Sequence, residues 1–362
     1  MNSHPQALGF PFPHAPVAGV WQTVAAGVHW VRMPLPFALD HINLWVLDDE
    51  IEGVSGFTVI DCGATTAETK AAWEQLFDGP MGGRPVLRVI ATHFHPDHLG
   101  LAHWLCEGGA RQRWRAPLWT SAGEYVTGRL LSQQTGAEAL AAGARAAEFY
   151  AANGLDDAES IARLKTRSTS QYALLVPAVP PSYHRLMGGG QLAIGPAGAK
   201  RVFRLLVGYG HSVEHLSLYC EADHLLVCGD MVLPRISTNV SVYDIDPDAD
   251  PLPLYLRSLD HYLMLPADSL VLPSHGLPFT GLHRRVADQH AHHAARLDEV
   301  RVACTRPRSA AEIVPILFPR KLDSHQLGFA LGEAIAHLHA LWREGSLTRT
   351  RGADGVYRFV SE

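Results

Sequence analysis

Short apolar runs recur between residues 28 and 272, and each is ended by Gly, Pro or polar residues, which is typical of β-strands. We predict strands at residues 28–33, 42–47, 57–60, 86–90, 202–207, 216–219, 225–227 and 269–272. Helical periodicity separates some of these runs. It predicts a helix that starts at Thr65, with Glu68 completing a capping box, and an amphipathic helix over residues 251–265. Strands that alternate with helices in this way predict an α/β fold.

Two regions depart from this pattern. Residues 121–190 contain an Ala-rich helical stretch at 136–150, a polar stretch, several prolines and a run of three glycines, which predicts a helical insertion followed by a long loop. From residue 283 the pattern is helical up to Gly345, and residues 347–351 and 356–360 then predict a hairpin. We therefore predict a main domain over residues 1–282 and a small winged-helix-like domain over residues 283–362.

Composition narrows the class of protein. Apolar residues make up 47% of the chain and charged residues 18%, as in ordinary globular proteins, and the net charge of -6 argues against a general nucleic-acid binder. The five cysteines are widely spaced and form no C-x-x-C pair, so we predict neither a disulfide framework nor a cysteine zinc site. We expect a cytoplasmic location and no membrane partner, because the sequence has no secretory signal and no apolar run of membrane-spanning length.

The strongest chemical signal is Thr-His-Phe-His-Pro-Asp-His-Leu-Gly at residues 92–100, directly after the strand predicted at 86–90. It places four candidate metal ligands within six residues: His93, His95, Asp97 and His98. A loop at the end of a strand can direct several side chains at one point, and imidazole with carboxylate suits zinc, manganese or iron. The spacing, the strand before it and the helix predicted after it all favour a metal site over a His-rich surface turn.

Three further predicted strands end in a candidate ligand. The sequences are Gly210-His211-Ser212, Cys228-Gly229-Asp230 and Ser274-His275-Gly276. Each signal is weak alone, because a histidine at a strand end is usually an ordinary loop residue. Together they predict that one edge of a sheet gathers these side chains into one site. His215 lies four residues after His211, and composition alone does not separate the two.

This set of residues resembles the metallo-β-lactamase superfamily, whose five sequence motifs all have matches between residues 28 and 275. The matches are Asp61, His93-x-His95-x-Asp97-His98, His211, Asp230 and His275. The resemblance implies an αββα sandwich whose site lies along one edge of the two sheets. The C-terminal region is similar to the winged-helix appendage of a branch that includes lactamase-β-like endoribonucleases and many bacterial hydrolases.

The same resemblance implies two divalent metal ions, with Zn²⁺ as the default and Mn²⁺ or Fe²⁺ as alternatives. One ion would be held by His93, His95 and His211, the other by Asp97, His98 and His275, and Asp230 would bridge them. Asp61 and His215 would support these ligands without touching metal. Asp97 and Asp230 would be the catalytic carboxylates, and a metal-bridging hydroxide would attack the substrate. Metals ~3.5–4 Å apart lower the pKa of a bound water and stabilise the oxyanion that develops.

Departures from the family narrow the substrate. An aspartate at the bridging position, Asp230, argues against β-lactamase activity. Residues 121–190 carry too little basic charge for the RNA-binding arm of long RNA-processing members, and the C-terminal part differs from that of glyoxalase-II-like thioesterases. We therefore favour hydrolysis of a small ester, thioester or lactone. A phosphodiesterase or endoribonuclease is the alternative; a mononuclear iron persulfide dioxygenase is disfavoured by the complete ligand set.

Candidates for substrate contact are fewer. Arg235 and Asn239 follow Asp230 in one loop, where Arg235 could hold an anionic group or instead pair with an acid and fix the loop. Tyr183 and Arg185, at the end of the insertion, are candidates for a mobile cover, the alternative being a solvated embellishment. The C-terminal region has only a slight basic excess, which disfavours nucleic acid as a partner, and it could instead form a homodimer.

Overall fold

The computed structural model describes residues 7–166 and 169–361, apart from the side chains of residues 324 and 325. Residues 1–6 and 362, at the outer ends of the two predicted domains, and residues 167–168 of the predicted insertion lie outside the described part. The chain forms two large sheets, a small hairpin and eleven α-helices among the described residues.

Seven strands form the first sheet, and they lie in chain order. They are β1 (Trp21–Ala25), β2 (Val28–Pro34), β3 (His41–Ile51), β4 (Val54–Ile60), β5 (Val86–Ile90), β6 (Leu118–Thr120) and β7 (Tyr183–Arg185). Strands β1 to β4 pair antiparallel, whereas β4 to β7 pair parallel. Because parallel strands end at the same edge of a sheet, the residues that follow β4, β5 and β6 meet there.

Five strands form the second sheet, in the order β12-β11-β10-β9-β8. They are β8 (Gln191–Ile194), β9 (Arg201–Gly208), β10 (His215–Cys220), β11 (Leu225–Gly229) and β12 (Leu270–Pro273). Strand β11 runs parallel to β12 and antiparallel to β10, so the ends of β11 and β12 lie beside the turn between β9 and β10. A separate antiparallel hairpin, β13 (Thr348–Arg351) and β14 (Tyr357–Val360), confirms the one predicted near the C-terminus.

Helices cover the outer faces of the two sheets. They are α1 (Ala67–Asp78), α2 (Pro96–Leu99), α3 (Ala102–Cys106), α4 (Ala122–Ser132), α5 (Gly136–Ala152), α6 (Ala158–Thr166), α7 (Gln171–Leu175), α8 (Pro251–Asp260), α9 (Leu282–Ala303), α10 (Ala310–Leu317) and α11 (Ser324–Arg343). Helices α1 and α3 pack on the first sheet, and Trp73 and Phe77 of α1 are fully buried there. The two sheets enclose a second core around Trp30 and Trp45, and α8 to α11 cover the second sheet. This arrangement confirms the predicted αββα sandwich.

The C-terminal helices share a core with the second sheet. Leu226 of β11, Leu252 of α8 and Leu331 and Leu341 of α11 belong to one buried cluster. The domain boundary at residues 282 and 283 stays a prediction, and it falls at the start of α9. Among the described helices, none is both long and apolar enough to cross a membrane.

The predicted insertion is more ordered than expected. It contains four helices, α4 to α7, and its exit forms β7 rather than a loop, because Tyr183 to Arg185 pair with Leu118 to Thr120. The expectation that Tyr183 and Arg185 lie in a loop was therefore wrong. A three-residue strand is stabilised by its neighbour in the sheet, and its own sequence carries little signal.

Two local expectations also need correction. The N-cap of helix α1 is Thr66, one residue after the predicted Thr65, and its hydroxyl accepts the amide hydrogen of Thr69 (3.1 Å). Thr65 instead donates to the carbonyl of Gly100 (2.8 Å), which attaches the start of α1 to the end of the His-rich loop. Asp97 and His98 lie in the short helix α2, where a loop was expected.

A buried ion pair joins the two sheets. The Arg88 guanidinium donates to Oδ2 of Asp49 (2.6 Å) and to the carbonyl of Ala193 in the second sheet (3.0 Å). Oδ1 of Asp49 accepts the amide hydrogen of Gly195 (3.0 Å). Both side chains are almost fully buried, so each charge depends on its partner for solvation.

Removal of one partner should therefore be costly. We expect Asp49→Ala to lower the free energy of unfolding by about 3–5 kcal/mol, because it leaves the Arg88 charge buried and unpaired. Urea denaturation followed by circular dichroism measures this change. Glu159→Ala is the matched control, since Glu159 pairs with Arg163 on an exposed face of α6 and should change the stability little. An equal effect of the two variants would contradict the role given to Asp49.

Candidate metal centre

The edge formed by the strand ends gathers the seven predicted ligands. His93, His95, Asp97 and His98 follow β5, His211 lies in the turn between β9 and β10, and Asp230 and His275 follow β11 and β12. Among the described residues, candidate ligand atoms lie within 4.8 Å of one another in three groups. These groups are His93, His95 and His211; His93, His98 and Asp230; and Asp97, His98 and His275. The first and the third have the same members as the two ligand sets that the family resemblance implies.

Asp230 lies between these two sets. Its Oδ2 is 3.5 Å from Nε2 of His211, and its Oδ1 is 3.5 Å from Nε2 of His98 and 3.4 Å from Nε2 of His275. On the second set, Oδ2 of Asp97 is 3.3 Å from Nε2 of His275. One carboxylate thus directs a different oxygen at each set, an arrangement in which it can bridge two ions.

Hydrogen bonds fix the orientation of four of the rings. His211 and His275 donate from Nδ1 to main-chain carbonyls, those of Asn239 and His41, at 2.8 Å each. A carbonyl can only accept, so each Nδ1 carries a proton, and Nε2 of each ring presents its lone pair to the cluster when the ring is neutral. His98 likewise donates from Nδ1 to Oδ2 of Asp61 (2.8 Å), and Nδ1 of His93 lies 3.0 Å from the Thr92 hydroxyl.

The donor set fits divalent metal. Nε2 of His98 and Oδ1 of Asp230 are buried and have no hydrogen-bond partner, although they face each other across the cluster. Unpaired buried polar atoms are costly unless something binds them. Imidazole nitrogens whose other nitrogen donates to a carbonyl or carboxylate, together with aspartate oxygens, are typical ligands of zinc and related ions.

The two halves of the cluster differ in charge. Burial and the neighbouring histidines hold the pKa of His93 well below its usual value, and burial lowers the pKa of His95 to about 3. Burial also opposes a charge on His275, but Asp230 and Asp97 outweigh it and raise the pKa of His275 to about 10. Without metal, the carboxylates thus favour protonated imidazole in the half that contains Asp97, whereas the half that contains His93 has neutral imidazoles.

Asp61 and His215 lie beneath the cluster. Asp61 accepts the amide hydrogen of Thr92 (2.7 Å) as well as the Nδ1 hydrogen of His98. Nε2 of His215 lies 3.2 Å from the amide nitrogen of Asp230, from which it accepts a hydrogen bond. Gly229 leaves room for that contact, because a Cβ at this position would lie 2.4 Å from Nε2 of His215. Their predicted roles stay predictions, and both side chains touch the segments that carry ligands.

Glu124, in the first turn of α4, was missed by the sequence reading. Its Oε2 accepts the amide hydrogen of Phe94 (2.8 Å), between His93 and His95. Its Oε1 accepts from the Ser212 hydroxyl and the Glu214 amide, each at 2.6 Å, next to His211. The side chain is buried, and burial raises its pKa to about 7 despite these hydrogen bonds. The Ser-x-x-Glu spacing with Ser121 indicates a local capping box, whereas the carboxylate in fact joins two ligand loops.

The loop that carries His275 has a second support that the sequence did not reveal. The side-chain amide of Asn43 donates to the carbonyls of Pro273 (2.9 Å) and Gly276 (3.0 Å). The Arg32 guanidinium also donates to the carbonyl of Gly276. Arg32 lies in β2, directly opposite Asn43 in β3. The first sheet therefore holds a ligand loop of the second sheet.

The predicted substrate contacts are scattered. Arg235 is exposed, and its guanidinium lies over the ring of Phe10 (5.7 Å). Asn239 lies next to the cluster, but its side chain contacts Ser241 and Glu333. Tyr183 stacks on Tyr125 of α4 (3.9 Å), and its predicted role in a cover stays a prediction. Arg185 is exposed on the same strand.

We expect Glu124→Gln to weaken the support of both ligand loops. Glutamine would place an amide group where the Phe94 amide now donates, so two donors would face each other. A buried donor left without an acceptor costs about 1–3 kcal/mol of unfolding free energy. Denaturant unfolding measures the loss. Glu138→Gln, at the exposed first turn of the next helix, should leave the stability unchanged. Equal stabilities would show that Glu124 supports nothing.

Two family models match the chain. Residues 41–275 match the model described as metallo-beta-lactamase superfamily, and residues 297–362 match one described as metallo-beta-lactamase-like, C-terminal domain. The chain is also 24% identical over 343 residues to the probable metallo-hydrolase YqjP of Bacillus subtilis (strain 168), an alignment that covers 90% of this chain and 96% of that protein.

Solved structures agree with these matches. A beta-lactamase domain protein from Burkholderia ambifaria is 52% identical, with 98% of each chain covered and a TM-score of 0.91. A metallo-beta-lactamase family protein from Thermus thermophilus is 26% identical, covering 94% of this chain and 100% of that chain, with a TM-score of 0.73. The superfamily model spans more than half of the chain, and it covers all seven of the clustered His and Asp residues. The protein is therefore a metallo-hydrolase that belongs to the metallo-β-lactamase superfamily.

Proposed function

We propose that this chain is a dinuclear metal hydrolase that cleaves a small ester, thioester or lactone. The position of Asp230 is the observation that carries the dinuclear part of the proposal. Its two oxygens face different histidine sets, at 3.5 Å from His211 on one side and 3.4 Å from His275 on the other. A site built for one ion has no need for a second complete set around Asp97 and His98.

The two ligand sets of the cluster would each hold one metal ion. His93, His95 and His211 would hold one ion, and Asp97, His98 and His275 the other. Two bound divalent ions, with Zn²⁺ as the default, would supply an activated water and polarise the acyl oxygen of the substrate. Asp97 and Asp230 would balance part of the charge of the ions, and the hydrogen bonds to Asp61, His41 and Asn239 hold the rings in place.

The surroundings of the cluster favour a small acyl substrate over RNA. An RNA site needs a track of free cations for several phosphates. Arg32, which reaches the loop of His275, is engaged by the carbonyl of Gly276, and the chain as a whole has a net charge of -6.

Apolar side chains are exposed close to the ligands instead. Val213 is two residues from His211 and is 49% exposed. Leu174 is 64% exposed and lies on α7, whose Tyr172 donates to the carbonyl of Phe94 (2.6 Å). Val176, Val179 and Leu186 of the same insertion are buried in the cores. Apolar contacts with a few polar groups are typical of sites for small organic ligands.

Metal content is the first test of the proposal. We expect two metal ions per chain by elemental analysis after saturation and desalting. His211→Ala should lower this number and reduce turnover more than about 100-fold, since even residues that only support a ligand change activity 10–100-fold. His215→Ala is the control and should keep both ions. Nε2 of His215 accepts a hydrogen bond from the Asp230 amide, so this nitrogen is not available to a metal ion. One ion at saturation, or loss of metal from His215→Ala alone, would contradict the assignment.

A substrate panel separates the acyl hydrolase from the nuclease. We expect metal-dependent hydrolysis of at least one class among acyl thioesters, aryl esters and lactones, with a weak dependence on salt. Asp97→Ala should abolish it, because it removes a carboxylate of the second ligand set. A single-stranded RNA oligonucleotide is assayed beside the panel. RNA cleavage that needs Asp97 and falls steeply with salt, without acyl hydrolysis, would replace this proposal with the phosphodiesterase alternative.

A further inference from the structure

Helix α11 packs directly on the chain segment that follows Asp230. The amide of Val242 donates to the carbonyl of Gly332 in α11 (3.1 Å). Gly332 permits this approach, because a Cβ there would lie 2.7 Å from Cβ of Ser241. The contact brings a helix of the C-terminal region to the residues that border the metal cluster.

Glu333, the next residue of α11, directs a buried carboxylate at the same segment. Its Oε2 accepts a hydrogen bond from Nδ2 of Asn239 (3.1 Å). Oδ1 of Asn239 accepts from the Ser241 hydroxyl (2.8 Å), so both ends of the Asn239 side chain are held. The Glu333 residue is only 8% exposed, and burial raises its pKa to about 7. A carboxyl group buried at such cost depends on its hydrogen-bond partners.

The main chain of Asn239 connects this contact to the cluster. Its carbonyl accepts the Nδ1 hydrogen of His211 (2.8 Å). That hydrogen bond selects the tautomer and directs Nε2 of His211 toward Oδ2 of Asp230 (3.5 Å) and Nε2 of His93 (3.2 Å). The position of Asn239 therefore determines where the lone pair of His211 points.

We propose that Glu333 is a positioning residue through which helix α11 holds Asn239 and thereby orients His211. The C-terminal region would then complete the centre rather than only accompany it. The inference rests on the proposed function for the metal ions, but the orientation of His211 is a property of the chain itself and can be measured without metal.

The experiment compares Glu333→Leu with Glu333→Gln in the full-length chain. Glutamine keeps an oxygen that accepts from Asn239, whereas leucine removes it. In metal-free protein with ¹⁵N-labelled histidine, ring spectra report the tautomer of His211, whose signals are assigned by their absence from His211→Ala. Competition with a chelator for Zn²⁺ then measures the affinity of each site.

We expect leucine to give a mixture of His211 tautomers and to weaken one of the two Zn²⁺ sites by about tenfold, the lower end of the range for residues that support a ligand. Glutamine should restore both values to those of the wild type. A merely structural role would lower the stability of both variants without moving the tautomer of His211. Wild-type tautomer and affinity in folded Glu333→Leu would overturn the inference.

A pair of glycine variants tests the same contact if leucine prevents folding. Gly332→Ala forces α11 away from Ser241, and it should disturb the His211 tautomer as leucine does. Gly328→Ala lies one turn earlier on the same helix, where a Cβ meets nothing within 4 Å, and it should change neither value. An undisturbed His211 in Gly332→Ala would overturn the inference. If wild-type protein binds no Zn²⁺, the proposed function fails, and the tautomer of His211 alone decides for or against Glu333.

Discussion

The fixed orientation of the imidazole rings is the constraint on which this site depends. A metal-binding nitrogen must present a lone pair, so the other nitrogen of the same ring needs an acceptor in the right place. Asp61 provides one acceptor for His98 and also holds Thr92, which precedes the ligand loop. Its backbone has a φ of 62°, a left-handed conformation that costs a non-glycine residue about 1–3 kcal/mol. The strained residue is the one whose carboxylate accepts hydrogen bonds from both the Thr92 amide and the His98 ring.

The other acceptors come from separate parts of the fold. The His275 ring follows β12 in the second sheet, yet it donates to the carbonyl of His41 at the start of β3 in the first. Asn43 in β3 then binds the two carbonyls on either side of Ser274 and His275. The ligand geometry therefore requires the two sheets to keep a fixed position relative to each other. The core around Trp30 and Trp45 and the Asp49–Arg88 pair hold them in that position.

Much of this centre could be predicted from sequence because its ligands occur in local patterns. His93 to His98 fall within six residues. His211, Asp230 and His275 each follow an apolar run that forms a strand. The αββα order of elements was implied by the resemblance that these motifs carry. What supports the ligands could not be predicted in this way. The carbonyl of Asn239 carries no sequence signal, because every residue has a carbonyl and only the fold selects one.

The errors have a common physical cause. The strand β7 exists because Tyr183 to Arg185 pair with β6, more than sixty residues earlier in the chain. The local pattern of Pro and Gly carries no trace of this partner and indicated a loop. Glu124 had the spacing of a capping residue, but its carboxylate accepts hydrogen bonds from two distant loops. In each case a long-range contact outweighed the local preference, as expected where tertiary structure competes with propensity.

Two buried carboxylates outside the cluster accept hydrogen bonds from residues that adjoin or hold His211. Glu124 of the insertion accepts from Ser212 and Glu214, next to His211 in the chain, whereas Glu333 of the C-terminal region accepts from Asn239, which holds the His211 ring. Burial raises the pKa of both carboxyl groups to about 7, which shows that the buried position disfavours their charged form. Their hydrogen bonds offset part of that cost. The insertion and the C-terminal helices thus lie outside the ligand set, yet the insertion contacts the residues that follow His211, and α11 contacts Asn239.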